Sequence, residues 1–204
     1  MTIPVNLATE DELSEAVLRR LLDHADRGYA VGPAYGRRGF GYLRRTITSW
    51  NRAARFAPIV VLTDLDLRTC PAELISDWLT EPRHPNLLLR VAVREVEAWL
   101  LADRSNFAQY LHVSEKWVPV KPDGLLDPKA ALVDAARRSR SKAVRERIVP
   151  NRGSTAKQGR DYNSCLVEFV RVAWNIEAAA ARSASLQGTV AKLDSFTPVW
   201  PAGS

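Results

Sequence analysis

Cysteine, histidine and long apolar runs are scarce in this sequence of 204 residues. The two cysteines, Cys70 and Cys165, are far apart and show the spacing of neither a metal site nor a redox pair. The three histidines are equally scattered, and the zinc-binding pattern HExxH is absent. No apolar run approaches the roughly 18 residues that a membrane span needs. We therefore expect a cytoplasmic protein with reduced thiols and no membrane partner.

Nucleotide-binding motifs are also missing. The chain has no P-loop, and its cluster of four glycines does not form GxGxxG directly after a predicted strand. These glycines are Gly32, Gly36, Gly39 and Gly41. Glycines at this density are typical of loops, so we predict a loop over the stretch GYAVGPAYGRRGFGYL.

Positive charge is concentrated in one segment of the chain. The net charge is +6, and the segment from Lys129 to Arg160 alone contains ten Lys or Arg and only two acids. Such a segment suits a polyanion, because the phosphates of a nucleic acid attract Lys and Arg. The alternative is a solvated basic helix face without a ligand. The candidate nucleic-acid-binding residues are Arg137, Arg138, Arg140, Lys142, Arg145 and Arg147.

Strand and helix patterns alternate in the first half of the chain. Apolar runs predict strands at Ile3 to Leu7, at Ile59 to Thr63 and over PNLLLRVAV, the last buried on both faces. One continuous helix is predicted over REVEAWLLADRSNFAQYL. This alternation predicts an α/β domain with a largely parallel sheet flanked by helices, covering residues 1–112.

The strand signal disappears in residues 113–204, where we predict a basic helical region packed on the α/β domain. Asp127 followed by Pro128 is a typical helix start, since the carboxylate caps free amides and proline suits the first turn. One basic helix is expected from there to about Val149, and a later helix contains Leu166 and Trp174.

Acidic residues follow each of the three predicted strands. The groups are Glu10, Asp11 and Glu12 after the first strand, Asp64 and Asp66 after the second, and Glu95 and Glu97 after the third. Because functional groups of parallel sheets collect at the carboxyl ends of the strands, these acids are expected to lie close together. Clustered carboxylates repel one another, so such a site needs a cation or shifted protonation. The alternative is that each acid merely complements a helix N-terminus.

Oxygen ligands without His or Cys favour Mg²⁺ or Mn²⁺, which serve phosphoryl chemistry. Asp64 and Asp66 are separated by one residue. In an extended segment, side chains two residues apart point to the same side, so both carboxylates are expected to reach one metal centre.

A strand, a Glu, a helix and a later strand ending in DxD together resemble the TOPRIM fold of topoisomerases, primases and related nucleases. Over nearly the whole chain, further stretches resemble a bacterial TOPRIM-related family, domain of unknown function family 4276. Those stretches are EDELSEAVLRRLL, VVLTDLD, RVAVREVEAWLLAD, DPK, and RRSRS through YN. Members of this family resemble the nuclease half of two-component systems in which an ATPase is encoded alongside, some of them implicated in phage defence.

The resemblance implies metal-dependent cleavage of nucleic acid, with Glu10, Asp64 and Asp66 as metal ligands. It adds Glu97 as a further catalytic acid and places Glu15 in the helix after the first Glu. Asp11, Glu15 and Glu95 are the secondary acids of the predicted site. TOPRIM proteins usually carry a Gly after the first Glu, and Asp11 occupies that position here. The first ligand therefore stays open between Glu10, Asp11 and Glu12.

Three functions compete at this point. The first is a Mg²⁺- or Mn²⁺-dependent nuclease that holds nucleic acid through its basic segment and works with an ATPase partner. The second is an interaction or regulatory module in which the acids are helix caps. The third is a phosphatase of the haloacid-dehalogenase type, because VVLTDLDLRT resembles the nucleophile motif DxDx[TV] of that family. Arg68 stands where that motif has Thr or Val.

Overall fold

A computed structural model of the chain describes residues 2–200. The described residues form two compact units. The first unit comprises the residues up to Val93 together with those from Gly188 onward, and the second unit is Arg94–Gln187. The division into folding domains at residue 112 stays a prediction.

A four-stranded, all-parallel sheet forms the centre of the first unit. Its strands lie in the order β2-β1-β3-β4, where the elements are β1 (Ile3–Thr9), β2 (Tyr29–Gly36), β3 (Ile59–Asp64) and β4 (Leu87–Ala92). The prediction of an α/β fold with a parallel sheet flanked by helices is confirmed at this level. After β1 the chain moves to one side for β2 and to the other side for β3. The direction of winding thus reverses between β1 and β3, which is where open α/β sheets bind ligands.

Strand β2 corrects one prediction, because the glycine-rich stretch predicted to be a loop contains an edge strand. β2 pairs in parallel with β1, and most of its residues are exposed. An edge strand tolerates Pro33, since only one side of it needs backbone hydrogen bonds. A half-solvated strand of glycine, alanine and proline lacks the apolar alternation by which a sequence reveals a strand.

Helices of the first unit pack on the sheet through apolar faces that their spacing predicts. They are α1 (Glu12–His24), α2 (Phe40–Ala53) and α3 (Pro71–Trp78). On α1 the buried apolar residues are Leu13, Val17, Leu18, Leu21 and Leu22. A buried cluster joins α2 and α3 to the strands, and Trp50 and Trp78 are among its members. Strands β3 and β4 are buried on both faces, as predicted for the latter.

The second unit is helical in its described part and has shorter helices than predicted. They are α4 (Val96–Ala102), α5 (Arg104–Tyr110), α6 (Pro128–Arg137), α7 (Lys142–Ile148), α8 (Tyr162–Val172) and α9 (Ile176–Ala180); α10 (Ala184–Asp194) follows across the boundary between the units. The Asp127 cap is confirmed, since its Oδ1 accepts from the Ala130 amide at 2.7 Å.

Three helix predictions for this region are wrong in their extent. The helix predicted over REVEAWLLADRSNFAQYL is interrupted at Asp103, whose carboxylate accepts from the backbone amide of Asn175 at 2.7 Å. The basic helix is interrupted between α6 and α7, where Ser141 caps the next helix. Trp174 lies beyond the end of α8. A hydrogen bond to a distant residue and a capping side chain mark the first two breaks, and helical periodicity predicts neither.

Within residues 2–200, no helix is long and apolar enough to cross a membrane.

Candidate functional site

Glu10 lies at the point where the winding of the sheet reverses, directly after β1. One of its carboxylate oxygens accepts from the hydroxyl of Thr63 and, at 3.0 Å, from the backbone amide of Asp64. Both donors belong to the end of the neighbouring strand β3. Burial raises the pKa of Glu10, the two hydrogen bonds oppose that rise, and the charges of Asp66 and Asp11 add to it. Glu10 is thus a half-buried carboxyl fixed between two strands and close to other acids.

Asp64 and Asp66 follow in a tight turn, and the geometry predicted for them is wrong. β3 ends at Asp64, and Asp66 has a φ of 53°, so the segment is not extended. Leu65 between them is buried, and its carbonyl accepts from the Arg68 amide at 3.1 Å. Asp is one of the few residue types that visit the left-handed region. The charge of Asp66 acts on Glu10 even so.

The three candidates for the first ligand have different environments. Asp11 caps α1, since its Oδ1 accepts from the Ser14 amide at 2.8 Å. Glu12 is exposed in the first turn of that helix. Glu10 alone of the three is hydrogen-bonded to the end of β3. The geometry therefore favours Glu10 as the acid that joins Asp64 and Asp66.

Glu15, one of the secondary acids, is buried and paired with two arginines. Its carboxylate oxygens lie 2.9 Å from Arg19 Nε and 2.7 Å from Arg37 Nε. The hydrogen bond from Arg37 is the main reason that the pKa of Glu15 is lowered. Arg37 belongs to the loop after β2, and its backbone amide donates to the carbonyl of Thr9 at 2.9 Å. Glu15 thus ties this loop to α1.

Replacing Glu15 by Gln is expected to lower the free energy of unfolding at pH 7 by about 1 kcal/mol, since both arginines are partly solvated. The lowered pKa means that ionised Glu15 stabilises the fold fully above its ordinary value of 4.5, and that this contribution is lost as the pH falls through the folded-state pKa. Urea unfolding across this pH range should show the difference from wild type shrinking with acid. An unchanged difference at low pH would contradict the ion pairing, and Glu12→Gln is the exposed control.

A second group of predicted acids, Glu95 and Glu97, lies in the helical unit with Lys129. Glu97 is buried, and its Oε1 accepts from the hydroxyl of buried Tyr162 at 3.1 Å and lies 3.4 Å from Lys129 Nζ. Glu95 accepts from the Lys129 backbone amide at 3.0 Å and lies 4.0 Å from its Nζ. Glu97 therefore has a cationic and a hydroxyl partner from its own unit.

Lys129 and Tyr162 are site candidates that residue-by-residue reasoning missed. Both occur in stretches on which the resemblance depends, DPK and YN, but those stretches alone predict no role for either residue. Tyr162 lies 65 positions from its partner Glu97, so no local spacing in the sequence predicts the contact.

The predicted nucleic-acid-binding residues differ in how they are engaged. Arg147 lies 3.0 Å from Glu168, Lys142 lies 3.5 Å from Glu146, and Arg137 lies 3.6 Å from Asp134. The remaining three are Arg138, Arg145 and Arg140. Arg138 stacks over the Trp117 ring at 3.7 Å, Arg145 donates to the carbonyl of Ser139, and the side chain of Arg140 is exposed.

Within residues 2–200, no group of three or more His, Cys, Asp or Glu side chains is arranged as a ready metal site. Profiles of known protein families, characterised proteins and solved structures were compared with the chain, and none matches. The feature of the structure that points to a function is therefore the group of acids Glu10, Asp64 and Asp66 at the carboxyl ends of β1 and β3.

Proposed function

We propose that the protein is a Mg²⁺- or Mn²⁺-dependent nuclease whose acids Glu10, Asp64 and Asp66 hold the metal. One observation carries this proposal. The Glu10 carboxylate accepts from Thr63 and the Asp64 amide at the reversal point of the sheet, which sets it beside the DxD turn. That is the ligand-binding position of open α/β sheets. A strand, Glu10, a helix and a later strand with DxD occur in the order that the resemblance to TOPRIM proteins implies.

The donor chemistry of this group fits a hard divalent cation. All three side chains offer carboxylate oxygens. Burial is the main reason that the pKa of Glu10 is raised, and the charge of Asp66 adds to the rise. A cation would relieve the repulsion between these carboxylates. When bound, Mg²⁺ or Mn²⁺ would neutralise phosphate oxygens and lower the pKa of water. The chain's own part is to orient Glu10 through Thr63 and to bind the substrate backbone through its basic segment.

An ATPase subunit is part of the proposal as a partner, and phage defence as the setting, both on the strength of the resemblance alone. A cytoplasmic location belongs to the same proposal. Glu97 is proposed as an additional acid, although its contacts with Tyr162 and Lys129 also suit a purely structural role.

The interaction-module alternative has two observations in its favour. The described residues contain no ready group of three metal ligands, and Asp11 acts as a plain helix cap. In this alternative the acids at the sheet edge would stabilise helix starts, and the basic segment would bind an acidic partner protein. The two functions differ in their dependence on metal.

Metal removal tests the proposed function. Purified protein should cleave at least one of four end-labelled substrates in Mn²⁺: single- or double-stranded DNA, or single- or double-stranded RNA. Dialysis against EDTA should abolish the cleavage and excess Mn²⁺ should restore it, since the acids then regain their cation. Cleavage that persists in EDTA would contradict the proposal. Absence of cleavage on all four substrates by folded protein would favour the interaction module.

A further inference from the structure

A basic cavity of about 670 Å³ opens in the helical unit, outside both acid groups. Arg137 from the end of α6, Arg145 from α7 and Arg152 from the following loop line it, and no acidic residue among those that the structure describes does so. The remaining wall is the loop itself, which includes Asn151, Gly153 and Ser154. Three guanidinium groups around one cavity are suited to an anion with several oxygens, because each group offers a fork of donors.

The loop that carries Arg152 is closed at its base, so the cavity wall is a built feature. The Gly159 amide donates to the Ile148 carbonyl at 2.8 Å, and the Asp161 amide donates to the Arg147 carbonyl at 3.2 Å. Gly159 is buried, and a Cβ there would lie 2.3 Å from the Arg147 carbonyl oxygen, so only glycine allows this closure. The segment between is a compact loop with its ends together, a type often used for binding.

Strong ion pairs with carboxylates do not neutralise Arg137 and Arg145, so both can attract an anion in the cavity. Arg137 is 55% exposed and lies 3.6 Å from an Asp134 that is 72% exposed, an ion pair that water screens and that contributes little. Arg145 donates to a neutral carbonyl, so its positive charge is not neutralised there.

A second cavity of about 370 Å³ adjoins the first, and Arg137 lines both. Pro150 and Ala156 are also shared by the two linings. Lys129 and Lys157 line the second cavity together with two acids, Glu95 and Asp127. Lys129 pairs with Glu95 and Glu97, and the Asp127 carboxylate caps α6. The two cavities together therefore run from three arginines to two lysines, and they are longer than one phosphate ion.

We propose that these two cavities form a binding groove for the sugar-phosphate backbone of a single nucleic-acid strand. A phosphodiester group lies among Arg137, Arg145 and Arg152, and the strand continues toward Lys129 and Lys157. The inference rests on the proposed function for its ligand class, but it concerns a binding step that needs no metal. Arg152 and Lys157 enter as binding residues alongside those of the basic helices.

The test uses the full chain in EDTA and a fluorescein-labelled 12-nucleotide single strand, with anisotropy as the readout. The double variant Arg137→Gln, Arg152→Gln should weaken binding about tenfold or more at low salt. Because both arginines face the same phosphodiester group, the magnitude of the slope of log K against log salt should fall by roughly 0.7. Arg171→Gln with Arg182→Gln is the matched control, since it removes two exposed arginines that line neither cavity. Thermal unfolding verifies that both double variants are folded.

Each outcome has one meaning. Equal affinity losses in the two double variants would overturn the groove in favour of diffuse charge attraction, and no binding by the wild-type protein would overturn it outright. Tight binding of inorganic phosphate without binding of the strand would also overturn it, in favour of a free-anion site. The affinity for the strand could fall in the cavity variant alone while the wild-type protein cleaves nothing with Mn²⁺. That outcome would support the binding groove and contradict the proposed nuclease function.

Discussion

Replacing Asp64 and Asp66 together by Asn is expected to reduce Mn²⁺-dependent cleavage at least about 1000-fold, which corresponds to about 4 kcal/mol of transition-state stabilisation. The two aspartates and Glu10 supply the negative charge that retains the cation. Asn is preferred to Ala because it keeps the shape of each side chain and tolerates the left-handed backbone of Asp66, whose φ is 53°. The effect should therefore come from lost charge and not from a rearranged turn.

Two single variants give this prediction its control. Glu10→Gln should cause a loss of similar size, because Gln keeps an oxygen that can accept from Thr63 and the Asp64 amide but removes the negative charge. Glu12→Gln should leave the cleavage rate within about twofold of wild type, since that neighbouring acid is exposed in the first turn of α1. Undiminished cleavage by the Asp64→Asn, Asp66→Asn protein would exclude this group as the metal site. An aspartyl-phosphate trapped on Asp64 would instead indicate a phosphatase of the haloacid-dehalogenase type.

Gly36→Ala is expected to lower the free energy of unfolding by about 3–5 kcal/mol, combining left-handed strain with overpacking. Gly36 ends β2 in register with Thr9 and has a φ of 108°. A Cβ there would lie 2.1 Å from the Thr9 carbonyl oxygen, which the β1 backbone holds in place. The sheet must then open beside the residue that precedes Glu10. Equilibrium urea unfolding with unchanged m-value would measure this loss.

Gly39→Ala separates the two contributions. Gly39 also has a positive φ, 75°, but a Cβ there meets no atom within 4 Å. Its ψ is 174°, a backbone conformation that essentially only glycine adopts, so its substitution should lower the free energy of unfolding by about 1–3 kcal/mol, from backbone strain alone. Equal losses at Gly36 and Gly39 would show that the close approach of β2 to Thr9 does not exist in solution.

The buried strands and the capped helices could be predicted from the sequence because their signals are local. β3 and β4 are apolar runs, and Asp127 with Pro128 marks a helix start through its immediate neighbours. β2 gives no such signal, since its exposed Gly, Ala and Pro residues form a strand only by pairing with β1. The break at Asp103 likewise depends on Asn175, which lies 72 positions away.

The candidate site follows the same division. The acids after β1 and β3 could be placed at one edge because parallel strands end together, and Glu10 and the Asp64 amide are indeed in contact. The turn at Asp66 could not be predicted, because the DxD spacing is equally compatible with an extended strand. The contacts of Glu97 with Tyr162 and Lys129 join three separate helices, so residue spacing along the sequence does not predict them.

Calorimetric titration of Mn²⁺ into the purified protein, beside the Asp64→Asn, Asp66→Asn variant, is the most direct measurement of the metal site. It needs neither the substrate nor a partner, so a silent nuclease assay does not obscure it. We expect the wild-type protein to bind Mn²⁺ and the folded variant to show no heat of binding. No binding by folded wild-type protein at millimolar Mn²⁺, or equal binding by the variant, would contradict a metal held by Glu10, Asp64 and Asp66.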